Sequence, residues 1–222
     1  MRSGSTGVGY TFERLLGISE NTIPLADFYN IEIKTHRKSS NSNICLFNYD
    51  PIGSYSYEIK HLYDLYGYKR DKQKSQNVLN VSVYSHIKKL LPCNYKFMLH
   101  VDYLNGKVIL LIYDLQDNLV DSDAYWTFET LKKKVYEKIQ YLAYVTAESK
   151  FINGVEYFHY NSIYFYKLKS FDTFIKLIDN CKICVSFKIG GKINIDYPWQ
   201  IDNHGTSFSI KSQNLSLLYS FF

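Results

Sequence analysis

Two apolar runs, YKFMLHVDYL (95–104) and KVILLIYDL (107–115), flank Asn105-Gly106. An Asn-Gly pair accepts positive φ at both positions, so this stretch predicts an antiparallel hairpin with a two-residue turn. Elsewhere the apolar period lengthens from two to about 3.6 residues. From Phe128 to Gln140, Leu131, Val135 and Ile139 fall on one face, with Lys132, Lys133 and Lys134 mostly on the other. Ser170 is placed to cap a helix whose buried face carries Phe171, Phe174, Ile175 and Ile178. A short helix is expected over Thr11–Gly17, with Phe12, Leu15 and Leu16 as its apolar stripe, and a last one over Gln213–Phe222. Strand patterns occupy Ile44–Phe47 and Tyr141–Ala147. VEYFHY and IYFYKL read as a tight pair joined at Asn161-Ser162, and a further hairpin as turning at Gly190-Gly191. Polar stretches at His36–Asn43 and Lys69–Asn77 read as loops. Strands and helices mix without strict alternation, which predicts a mixed α/β (α+β) fold.

The 222 residues suffice for one large domain or two lobes sharing a core. No apolar run approaches the ~20 residues of a membrane span, and the polar, glycine-rich start MRSGSTGVGY carries no export signal. A cytoplasmic location without a membrane partner is expected. A formal charge of +5 permits a polyanionic partner without demanding one. The 22 tyrosines and 14 phenylalanines are what an A+T-rich coding sequence delivers, so they do not by themselves signal base stacking. Cys181-Lys-Ile-Cys184 has half the spacing of a zinc knuckle, but no second pair accompanies it, and CKICVSFKI is apolar. Those thiols, with Cys45 and Cys93, read as small hydrophobes, and no structural zinc is expected.

The stretch with chemical content is Asp27-Phe28-Tyr29-Asn30-Ile31-Glu32-Ile33-Lys34-Thr35. Its last five residues alternate, so Glu32 and Lys34 share one strand face and Ile31, Ile33 and Thr35 the other. Asp27 at the entry and Glu32 within the strand can lean toward one Mg²⁺, which takes one or two carboxylates and keeps several waters. Lys34, about 7 Å along the same face, can orient a water or steady charge on a phosphate. Taken alone the spacing is weak, because any amphipathic strand with a solvated face can produce it. His100 and Asp102 also share a strand face, and with no third ligand at useful spacing they read as structural.

The wider context is more specific. GVGYTFERLLG (7–17) followed by Asp27-x₄-Glu32-Ile33-Lys34-Thr35 resembles the MvaI/BcnI family of type II restriction endonucleases, kin of the MutH mismatch-repair nickase within the PD-(D/E)xK superfamily. Arg37-Lys38-Ser39-Ser40, Trp126-Thr127-Phe128, Asn203-His204-Gly205-Thr206 and the C-terminal segment extend the likeness along nearly the whole chain. Two departures stand out: Ala26 replaces the family's proline before the Asp, and the chain begins close to the Glu13 helix where relatives carry extra residues.

The resemblance implies a restriction-endonuclease-like core with two lobes around a DNA cleft, a catalytic lobe over 1–150 and a DNA-recognition lobe over 151–222. It implies Asp27 and Glu32 as metal ligands, Lys34 as catalytic lysine and Glu13 as an accessory acid. His204 and Thr206 would come from a base-reading loop, and Arg37 and Lys38 would contact DNA. It also implies Mg²⁺ as cofactor with Mn²⁺ as a substitute. The partner would be double-stranded DNA carrying a short CC-N-GG-like site, cut one strand at a time by a monomer, with a cognate DNA methyltransferase encoded separately. The competing readings are a MutH-like strand-specific nickase and a non-cleaving DNA-binding domain of a larger protein.

Overall fold

The structure is a computed structural model that describes residues 4, 6–18, 30–70, 76–191 and 200–222. Its helices are α1 (Gly7–Leu15), α2 (Glu58–Tyr66), α3 (Phe128–Lys138), α4 (Phe171–Asp179) and α5 (Leu215–Leu218). The first strands are β1 (Ile31–Arg37), β2 (Ile44–Asn48), β3 (Val78–Val83), β4 (Lys89–Leu90), β5 (Lys96–Asp102), β6 (Lys107–Tyr113) and β7 (Leu119–Asp121). The later ones are β8 (Tyr125–Thr127), β9 (Tyr141–Ile152), β10 (Val155–Leu168), β11 (Ile183–Gly191), β12 (Ile201–Asn203), β13 (Ser207–Ile210) and β14 (Tyr219–Phe221). Among the described residues no helix is long and apolar enough to cross a membrane.

The chain forms two compact units, one of Met1–Ile44, Lys133–Thr173 and Lys211–Phe222, the other of Cys45–Lys132 and Phe174–Ile210. Each unit is assembled from separated stretches of the chain. Strand pairing is the reason: β1, β9, β10 and β14 come from three distant parts of the chain and form one sheet in that order.

In that first unit β1 runs parallel to β9, with Glu32 opposite Leu142 and Lys34 opposite Tyr144. β9 returns as β10 through Asn153-Gly154, whose φ values are 51° and 77°. Ile152 pairs with Val155 across it, which makes it the two-residue Asn-Gly turn. The expected turn at Asn161-Ser162 is therefore corrected. β10 continues straight through it, and the register merely slips between Tyr160 and Ser162 as a bulge. The Asn161 amide is tied there by the Thr146 hydroxyl (3.1 Å) and by the Glu148 carboxylate (2.9 Å). The expected C-terminal helix is likewise shortened to α5, after which Tyr219, Ser220 and Phe221 pair with Leu168, Lys167 and Tyr166.

Helix α1 starts earlier than expected. It buries Gly7 and Val8 and leaves Leu15 exposed. Gly9 permits its approach, since a Cβ there would stand 3.1 Å from Thr35 Oγ1. The Tyr160 hydroxyl donates to the Val8 carbonyl (2.7 Å), and Phe12 stacks on the Tyr160 ring at 4.8 Å.

The second unit holds two sheets. β4-β5-β6-β7, with β8 on β6, forms around the hairpin read from Asn105-Gly106. Asp102 pairs with Lys107, so the loop has four residues. The Asp102 carboxylate accepts from the backbone of Leu104 (3.1 Å) and Asn105 (3.0 Å), a turn-closing role that agrees with its structural reading. The other sheet is ordered β12-β11-β13-β2, with β3 on β11. Gly190 and Gly191 pair antiparallel with Asp202 and Ile201, so β11 runs through both glycines and the expected turn does not fall on them. Phe47, Trp126, Phe187 and Phe208 pack at ring distances of 5.0–6.5 Å to fill this core. The Ser170 hydroxyl accepts the Thr173 N–H (3.0 Å), capping α4 as the sequence predicts. Cys184 is buried, and the Cys181 thiol donates to the Ser85 carbonyl (2.7 Å).

Candidate active site

Glu32 and Lys34 project from the same face of β1, as their alternation requires. Glu32 is only 3% exposed. A carboxylate so far from water needs partners of opposite charge. It has two: the Lys34 ammonium lies 2.5 Å from Oε1, and the Lys138 ammonium lies 3.2 Å from Oε2. Lys138 comes from the last turn of α3 and was not singled out in the sequence. Its signal was there, because it stands seven residues after Leu131 and three after Val135, on the buried stripe of the helix. A lysine on an apolar face needs an anion to meet.

Tyr219 extends the same face through β14. Its hydroxyl is buried and has no hydrogen-bond partner among the described residues. Burial first, and the nearby Glu32 charge second, push its pKa far up. Tyr144, paired with Lys34, is also raised by burial. Glu13 is half-buried on α1, which packs on the Thr35 side of β1. Asp27 lies outside the described residues, which among themselves gather no group of three or more His, Cys, Asp or Glu side chains able to hold a metal ion. Glu32 is nonetheless a hard oxygen donor met by two amines, of the kind that can hold a divalent ion together with one further carboxylate.

The other sequence candidates separate into distinct roles. Arg37 grips Glu156 with both arms, Nε to Oε1 and Nη2 to Oε2 at 2.8 Å each, and its guanidinium stands over the Phe158 ring. Lys38 pairs with Glu148 at 2.9 Å on the surface. His204 is exposed, with Nε2 3.3 Å from Asp202 and its backbone N–H on the Lys188 carbonyl. Thr206 is 0% exposed, and its backbone N–H meets Asp50.

Asp50, a residue the sequence did not flag, closes that loop. Its carboxylate accepts the Asn203 amide (2.8 Å) and the Thr206 N–H (3.0 Å), while Asn203 Oδ1 accepts the Gly205 N–H (2.8 Å). Gly205 has φ +84°, and a Cβ there would come within 2.9 Å of Asn48. The glycine is required on both counts.

The model of the MvaI/BcnI restriction endonuclease family matches residues 1–219. The chain belongs to that family. Membership makes it a type II site-specific deoxyribonuclease. Its structure is similar to that of the restriction endonuclease MvaI in complex with its cognate DNA substrate, at 30% identity and TM-score 0.87, covering 100% of this chain and 89% of that one. It is also similar to MvaI in the absence of DNA, at 27% identity and TM-score 0.66, covering 96% and 82%. No curated protein sequence matches. Enzymes of the family generally use a divalent metal ion.

Proposed function

We propose that this endonuclease hydrolyses double-stranded DNA with Mg²⁺, which Mn²⁺ can replace, at a short CC-N-GG-like site. It acts as a monomer that cuts the two strands in succession, and a separate methyltransferase protects the same site. In this reading Asp27 and Glu32 hold the ion, Lys34 is the catalytic lysine and Glu13 an accessory acid. The observation that carries it is the buried Glu32 carboxylate with Lys34 on one oxygen, both aimed from one face of β1. An ion pair kept at this depth is costly to desolvate and gains little stability over an apolar pair. Chemistry gives it a purpose.

When bound, the divalent ion supplies Lewis acidity at the scissile phosphate and makes a nearby water nucleophilic at neutral pH. The chain's residues do the rest. Glu32 fixes one anchor point, because its strand neighbours Ile33 and Leu142 are packed in the core. Lys34 turns its ammonium from Glu32 toward the phosphate, where it offsets charge that grows on the equatorial oxygens. His204, held outward by the Asp50-braced loop, reads base edges in the groove. Lys38 contributes a phosphate contact on its exposed side.

The test is digestion of supercoiled plasmid by wild type and Asp27→Ala protein with Mg²⁺. Successive cutting predicts a transient nicked circle before linear product, and Asp27→Ala should leave the plasmid supercoiled. Cleavage by Asp27→Ala at the wild-type rate overturns the assignment. A product that stops at the nicked circle makes the enzyme a strand-specific nickase instead. Run-off sequencing of the ends reads the site and cut position together.

A further inference from the structure

The Lys138 ammonium occupies Glu32 Oε2, the oxygen that Lys34 leaves open. Between them the two amines give Glu32 a full set of cationic partners before any divalent ion arrives. A second feature shows that the pocket is built for another arrangement as well. The Tyr219 hydroxyl, 1% exposed and in the field of the same carboxylate, has nothing among the described residues to donate to while Lys138 holds Oε2. A buried hydroxyl without a partner costs stability, so its retention on the face that carries Glu32 points to a state in which it is used.

We infer that Lys138 is a placeholder cation for the catalytic metal. It holds Glu32 in its buried position in the metal-free protein and yields Oε2 when the divalent ion binds, and Tyr219 then donates to the carboxylate in its place. Lys138 is thus a positioning residue that sets metal affinity, in competition with the ion it stands in for. The proposal rests on the reading of Glu32 as a metal ligand.

The experiment uses the full chain without DNA and measures Mn²⁺ binding by electron paramagnetic resonance and Tm with and without Mn²⁺. Removing a competing cation should tighten Mn²⁺ binding of Lys138→Met about tenfold. Its metal-free Tm should fall, and Mn²⁺ should raise that Tm more than it does in wild type. Tyr219→Phe, which removes an unpartnered buried hydroxyl, should slightly raise the metal-free Tm and bind Mn²⁺ about threefold more weakly. Should Lys138→Met fail to fold, Lys138→Gln, which keeps a neutral donor, carries the same comparison. Unchanged or weaker Mn²⁺ binding in the Lys138 variant, while Glu32→Gln abolishes it, overturns the placeholder. Wild-type Mn²⁺ binding by Glu32→Gln overturns the reading of Glu32 itself.

Discussion

Two glutamates in this enzyme are equally hidden, and they are treated in opposite ways. Glu32 and Glu58 are each 3% exposed. Glu32, in the first unit, has a lysine on each oxygen. Glu58, at the start of α2 in the second, meets no lysine among the described residues, and the polar group beside it is the Tyr55 backbone. Its charged neighbours include Asp123 and Asp121, and burial first, with the Asp123 charge second, raises its pKa. The Tyr55 backbone and His61 pull the other way without prevailing. Burial beside further carboxylates makes ionisation harder for Glu58, whereas Glu32 has two amines for partners. Asp50 is a third case, with its charge directed to N–H donors of a loop. The partner decides the role: amines suit chemistry, N–H groups suit positioning, and the absence of either leaves a structural acid.

The sharpest way to break this comparison is to neutralise Glu32. Glu32→Gln should lower the cleavage rate roughly a thousandfold or more, the scale seen when one preorganised electrostatic group is removed. The same change at Glu58 should leave plasmid cleavage within about twofold of wild type. If the two variants cleave alike, charge at β1 serves the fold and not the reaction.

Next in size is Asp50→Ala. It removes a charged acceptor from two donors and should cost about 2 kcal/mol in denaturant unfolding. Its distinctive effect should be on fidelity, because His204 loses a fixed position while Glu32 and Lys34 are untouched. Sequenced ends should then include sites degenerate at one position. Retained fidelity with the same loss of stability would reduce Asp50 to a purely structural brace.

Glu58→Gln follows, with a sign that separates it from the other two. Where the folded pKa lies above the unfolded one, the full stability is present below the unfolded pKa. It is lost as pH rises through the raised folded value, since only the unfolded chain ionises easily. Wild type should therefore lose Tm through this group as pH rises above the ordinary carboxylate range. Glu58→Gln should have a higher Tm than wild type at pH 8 and differ little from it at pH 5. A variant less stable than wild type at both pH values would mean that Glu58 is ionised and paired.

How far the sequence reveals these features depends on whether the cause is local. β1, the α3 stripe and the α4 cap follow from spacing within a dozen residues, and they stand as read. Asn153-Gly154 makes the two-residue turn that the same dipeptide at Asn105-Gly106, inside a four-residue loop, does not. Asn161-Ser162, eight residues on, offers a competing turn signal but only bulges. Tyr219–Phe221 leave the helical pattern because β10 offers pairing partners some fifty residues away, a non-local gain that local propensity does not show. Glu32 and Lys34 were legible as a pair from alternation alone. Lys138 was legible only as an anomaly on an apolar stripe, and its partner 106 residues away was not. Asp50 meets Asn203 across 153 residues, and no spacing rule reaches that far.

The smallest expected effect concerns Arg37, which the family likeness nominates for DNA and the structure gives to Glu156. Both side chains are largely enclosed, and the contact is a two-pronged one, the geometry in which an ion pair contributes most. A double-mutant cycle of Arg37→Met and Glu156→Gln should return a coupling of roughly 1 kcal/mol in unfolding free energy. If holding β10 is all that Arg37 does, the salt dependence of DNA binding should be the same in Arg37→Met and wild type. Lys38→Met, by contrast, should flatten the slope of log K against log salt by about one. Were Arg37→Met to flatten it as well, Glu156 would have to release the guanidinium when DNA binds. The carboxylate's partner would then change with substrate, as proposed for Glu32, and the contrast between a resting and a working ion pair would extend to the far end of β1.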